Sequence, residues 1–97
     1  MNNTSQTVKL VDLVAKVHGP NHPHLAEVRT LFHEVNGHYP ELTEASEPVR
    51  GELKTKLTRI RELSNNFQTP ADGCEGYQMM DASLAEYESD VLAKLGK

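Results

Sequence analysis

From Cys74 to Leu95 one apolar line runs through the chain: Cys74, Tyr77, Met80, Leu84, Tyr87, Val91 and Leu95, at successive spacings of 3, 3, 4, 3, 4 and 4. An α-helix turns once every ~3.6 residues, so these spacings put all of them on one face. A strand needs alternation at every second residue, and no stretch of the chain competes with that pattern. A helix that is apolar along one side only must bury that side against other helices. The seam therefore commits the chain to helical packing. Thr69-Pro70 is read as its opening and Gly96 as its close.

Three more segments carry the same signature. Leu10, Leu13, Val14 and Val17 read as the apolar face of a short first helix, with Thr4 or Ser5 as cap and residues 1–5 as a disordered tail. Gly19-Pro20 ends it, since glycine suits the left-handed position after a helix and proline cannot continue one. Leu25, Val28, Phe32 and Val35 recur at spacings of 3, 4 and 3, again one helical face. Gly37 and Pro40 then predict a stop near Asn36 or a kink reaching toward Leu42. The third helix is read from Ser46-Glu47-Pro48, where serine caps and proline is tolerated in the first turn. It continues through Val49, Leu53, Leu57, Ile60 and Leu63 to Asn65-Asn66, and Phe67 tucks back onto the core. The result is an all-α fold, an antiparallel bundle of three main helices plus a first helix too short to cover a face, in one domain over 1–97.

The formal net charge of −4 argues against a general nucleic-acid binder, which needs a basic face. The single cysteine, Cys74, rules out an intramolecular disulfide and fits a reducing cytosol. No stretch approaches the roughly 20 apolar residues of a membrane span, and no charged start precedes an apolar leader. The expectation is a cytoplasmic protein with no membrane contact.

Histidine is the first candidate for chemistry. His18, His22 and His24 cluster around Gly19-Pro20-Asn21 and Pro23. Neutral imidazole is the commonest metal ligand, so three rings this close could gather on Zn²⁺ or another transition metal. The plainer reading is a polar loop whose histidines cap helix ends and face water. His33 and His38 are separated by about 140° on a continuous helix and do not share a face. Half of the 10 Lys and Arg residues lie between 50 and 61: Arg50, Lys54, Lys56, Arg59 and Arg61. They suit either an anion site or a solvated flank facing Asp72, Asp81, Glu86, Glu88 and Asp90 of the fourth segment. Cys74 stands where a helix begins, which lowers a thiol pKa. It also opens the apolar seam, and no histidine is near it in sequence, so it is read as buried and inert. No Ser/His/Asp signature, phosphate loop or Gly-rich fingerprint is present, and the chain is read as a non-enzyme.

Two passages then resemble a known family. Lys16-Val17-His18-Gly19-Pro20-Asn21-His22-Pro23-His24-Leu25-Ala26-Glu27-Val28 resembles the K-V-H-G-x-N-H-P-x-L-x-E stretch of the iron–sulfur cluster repair di-iron proteins. Ser64-Asn65-Asn66-Phe67-Gln68-Thr69-Pro70-Ala71-Asp72-Gly73-Cys74, followed by Tyr77, resembles that family's N-x-x-T-P-x-x-x-C-x-x-Y loop. The resemblance implies a hemerythrin-like bundle and a stress-response role. It also implies a largely lost metal site. His18 matches a family iron ligand, whereas Leu42, Ser46, Arg50 and Lys94 stand at other ligand positions, and a companion Glu would fall beyond Lys97. Arg50 and Lys94 would repel a metal, and both are expected to snorkel outward.

Two functions follow as expectations. The first is a protein-interaction or self-associating module, a homodimer with no cofactor, covering the seams that a short first helix leaves open. The second is a residual metal-binding stress-response protein holding iron or another transition metal on His18, His22 and His24, with His38 as a further donor.

Overall fold

The computed structural model describes residues 4–96. Within them lie four α-helices: α1 (Thr4–His18), α2 (His24–Asn36), α3 (Glu47–Leu63) and α4 (Glu75–Gly96), with a 3-10 turn over Tyr39–Glu44 between α2 and α3. Among the described residues there is no strand. No helix there is long and apolar enough to cross a membrane.

The helices run up-down-up-down. Asp12 of α1 bonds Arg29 and His33 of α2, and Glu27 and Glu34 of α2 pair with Arg59 and Lys56 of α3. Arg61 of α3 pairs with Glu88 of α4, and Thr7 near the start of α1 shares a hydrogen bond with Ser83, well inside α4. The ring of four helices therefore closes with α1 packed antiparallel on α4. The core is formed by the faces that the spacing picks out in α2, α3 and α4. Leu25, Val28, Phe32 and Val35 are all buried, as are Leu53, Leu57 and Ile60, and Tyr77, Met80, Leu84, Tyr87, Val91 and Leu95. Val49, Leu63 and Phe67 pack against its edge.

Helix α1 departs from expectation in two ways. At 15 residues it is longer than α2, with 13, so it covers its share of the bundle and is not a short remnant. Its buried face is Thr7, Val11 and Val14, while Leu13 and Val17 are exposed. The physical reason is the Thr7–Ser83 hydrogen bond, which lets a hydroxyl occupy a core position at no unsatisfied cost. Thr4 and Ser5 are helical, not a tail; residues 1–3 of that expected tail lie outside the described range. Gly19 follows α1 without a positive φ. It is needed for space, because a Cβ there would sit 2.3 Å from the Ala15 carbonyl oxygen.

The connections also differ in detail. Helix α2 stops at Asn36, and the 3-10 turn then carries Leu42 into the core. Ser46 occupies the N-cap of α3, but its hydroxyl makes no cap hydrogen bond. Helix α4 begins at Glu75, not at Thr69-Pro70. Before it, Asn65, Asn66 and Phe67 hold φ values of 53°, 63° and 62°. Asparagine tolerates that left-handed region, whereas phenylalanine there is strained. Partial burial of the Phe67 ring against the core, under the Arg61 guanidinium at 5.7 Å, holds it in place.

Phe32 is 0% exposed, with its ring centre 4.9 Å from that of Tyr87. Replacing it by alanine is expected to destabilise the bundle by about 3–5 kcal/mol, read as a lower urea midpoint with an unchanged slope. A loss below about 1 kcal/mol would contradict the placement of this ring at the centre.

Candidate functional site

Up-down-up-down topology brings the end of α1, the start of α2, the end of α3 and the start of α4 to one end of the molecule. That end carries both loops singled out in the sequence. Tyr77, 2% exposed, stands at its centre. The His18 and His22 rings meet the Tyr77 ring at centroid distances of 5.3 and 5.7 Å, and its hydroxyl lies 3.4 Å from His24 Nε2. Burial raises the Tyr77 phenol to about 12, helped by the nearby charges of Asp81 and Asp72. Burial also lowers the His24 imidazole, with the neighbouring His22 adding to the effect.

The three histidines are thus gathered, as the metal reading requires, but each turns to a separate partner. His18 Nε2 lies 3.1 Å from Cys74 Sγ. His22 Nε2 lies 3.1 Å from both carboxylate oxygens of Asp72. Two imidazoles on one tetrahedral Zn²⁺ have ring centres roughly 5 Å apart, given Zn–N of about 2.0–2.1 Å. The spacing here is 6.4 Å for His18–His22 and 5.9 Å for His22–His24. Among the described residues, no three His, Cys, Asp or Glu side chains form a group that could hold an ion. In this structure the three histidines thus stand in three separate pairs, His18 with Cys74, His22 with Asp72 and His24 with Tyr77. His38 lies at the opposite end, beside the 3-10 turn.

The positions that the resemblance assigns to iron are likewise divided. Leu42, Ser46, Arg50 and Lys94 belong to the far end of the bundle, whereas His18 sits with Cys74. Cys74 and Lys94 bracket nearly the whole of α4, about 30 Å along its axis. Leu42 is buried in the core. Lys94 reaches Asp90 at 2.7 Å and lies 5.7 Å from the Tyr39 ring centre, so it finds a carboxylate as expected. Arg50 does not snorkel cleanly: its Nε is buried without a partner.

The structure corrects the expectation of a buried, inert Cys74. It precedes α4 and its thiol is exposed. Backbone N–H of Tyr77, then the His18 ring, hold the thiol below its ordinary pKa, with the Gly76 N–H adding to them. Sequence gave no sign of the pairing, because His18 and Cys74 are 56 residues apart. Both flanking glycines serve the approach. A Cβ on Gly73 would fall 2.4 Å from Thr69 Cγ2 and 3.3 Å from the Tyr77 ring, and Gly19 has no room for one either.

The basic run of α3 is mostly a solvated flank, but it faces α2 as much as α4: Arg59 pairs with Glu27, Lys56 with Glu34, and only Arg61 with Glu88. Asp81 leaves that acidic flank altogether. It is 3% exposed, accepts a 2.7 Å hydrogen bond from Thr69 on one oxygen and leaves the other, Oδ1, without a partner. No family model, no curated protein and no solved structure matches the chain.

Burial raises the Asp81 carboxyl above the ordinary carboxylate range, against the opposing hydrogen bond from Thr69. The folded protein holds this proton more tightly than the unfolded chain. The side chain therefore contributes stability fully present below the unfolded value of about 3.9 and lost as pH rises through the higher folded value. Asp81→Asn keeps an acceptor for Thr69 and cannot ionise. It is expected to flatten this part of the profile of urea midpoint against pH and to raise the midpoint at neutral pH. A variant that tracks the wild type at every pH would contradict the buried, raised carboxyl.

Proposed function

We propose that this chain is a hemerythrin-like helical bundle, related to the iron–sulfur cluster repair proteins, that works without a di-iron centre as a self-associating interaction module. One observation carries the reading. Leu13 and Val17 of α1 are 56% and 59% exposed, and Met79 of α4 is 45% exposed, against 37% for Leu92 of α4, the other large apolar side chain left open among the described residues. Leu13 and Val17 are one turn apart on α1. Met79 is one turn from Ser83, the α4 residue that bonds α1, so it stands on the α1 flank of α4. Together they form an apolar strip along the α1–α4 groove. A two-fold pair lays such a strip against its own copy, and so covers it with a single surface used twice.

The interior supports the same reading. The buried side chains are mainly apolar, with Thr7, Ser64, Asp81 and Glu88 as polar exceptions among the described residues, and the positions matching iron ligands are split between opposite ends of the bundle. The rival reading is a residual metal-binding stress protein on His18, His22 and His24. It draws on the gathering of those rings around Tyr77.

Light scattering across a concentration series tests the proposal. The wild type is expected to form a dimer, and Leu13→Lys with Val17→Glu is expected to shift it to monomer with unchanged circular dichroism. A wild type that stays monomeric at high concentration would count against self-association. Elemental analysis of untagged protein after iron loading decides between the readings: stoichiometric metal lost on His18→Ala would favour the rival.

A further inference from the structure

Cys74 and His18 take no part in the core or in the apolar strip, yet they are placed with care. The thiol comes from the loop before α4 and the imidazole from the last residue of α1. They meet at 3.1 Å at an exposed position. Each is flanked by a glycine whose Cβ would strike its surroundings, at 2.4 Å for Gly73 and 2.3 Å for Gly19. The loop that carries the thiol is tied down by Thr69, which donates to buried Asp81. The ring that carries the base is packed edge-on against Tyr77. A nucleophile within hydrogen-bond reach of a base, the base oriented by a third group, is the arrangement of an activated thiol.

We infer that Cys74 and His18 form a thiol-exchange site that takes small, accessible disulfides. His18 accepts the Sγ proton. The Cys74 thiolate attacks one sulfur of the disulfide, the reagent's S–S bond breaks and a new S–S bond forms to Cys74. The other half leaves as a thiolate and takes up the proton from His18. The Cys74 sulfur is oxidised and the leaving sulfur is reduced, so the disulfide supplies all the oxidising equivalents. Cys74 is the only cysteine, so no second thiol in the chain can resolve the adduct. The mixed disulfide persists until an external thiol attacks it. The site would thus store one small thiol per chain, reversibly. This inference is independent of self-association along the α1–α4 strip, whose residues it does not use.

The test is the rate of mixed-disulfide formation with oxidised glutathione and with an aromatic disulfide, followed by intact mass across a pH series. The wild type is expected to react about ten-fold faster than His18→Gln near pH 6.5, with the gap closing above the free thiol value of about 8.5. His22→Gln, which leaves the pair intact, should match the wild type. Ultraviolet absorbance of the thiolate in the wild type gives a reading that needs no variant, and is expected to titrate below a free cysteine. A thiol that titrates as free cysteine, equal rates for wild type and His18→Gln, or a covalent dimer of two chains as the main product would each overturn the assignment.

Discussion

The contact of Tyr77 with the two loops at one end of the bundle is the interaction on which the rest of the architecture depends. Its ring is buried on α4, yet it touches His18 at the end of α1 and His22 in the following loop, and its hydroxyl reaches His24 at the start of α2. A single aromatic residue thereby joins the connection between α1 and α2 to the last helix. Aromatic rings suit this work because they bury large area while leaving a polar tip for a partner. Placing Tyr77 there fixes the rotation of α4. That rotation sets which residues of α1 face inward. Ser83 is turned toward Thr7, and Leu13 and Val17 of α1 are left outside, while Val8, Leu10 and Ala15 pack against the edge of the core.

The two ends of the bundle are consequently different in kind. The Tyr77 end is polar and holds three histidines, a carboxylate and an exposed thiol in paired contacts. The opposite end is sealed by the 3-10 turn, where Tyr39 donates to Asp90 and stacks on Tyr87 with ring centres 5.8 Å apart. Lys94 covers that seal through Asp90. A bundle that holds a di-iron centre gathers carboxylates and histidines from several helices into its middle. Here the middle is Phe32, Leu53, Leu84 and Tyr87, and the buried carboxylates Asp81 and Glu88 are taken up by Thr69 and Arg61.

Much of this was legible in the sequence wherever local spacing alone decides. The seams of α2, α3 and α4 are buried as the periods of three and four require, and Phe67 folds back as its place after Asn65-Asn66 suggests. What the sequence concealed depends on contacts between distant residues. Thr7 is a core residue only because Ser83 meets it. Asp81 reads as a surface acid until Thr69 draws it inward. Cys74 belongs to the apolar seam by spacing, but the helix starts one residue later and leaves it outside. The histidine cluster was visible as a group. Its division into three pairs depends on Asp72, Cys74 and Tyr77, each roughly half the chain away.

The architecture stands on the Tyr77 end being assembled in solution, with His18, His22 and His24 around its ring. Histidine ring resonances followed by nuclear magnetic resonance against pH measure this most directly. Ring currents from Tyr77 should displace the resonances of His18, His22 and His24, and His24 should titrate below the ordinary histidine value because it is buried. Tyr77→Leu should collapse all three displacements together while leaving those of His33 and His38 in place. Undisplaced resonances for the three rings in the wild type, or a His24 that titrates as free imidazole, would contradict this assembly.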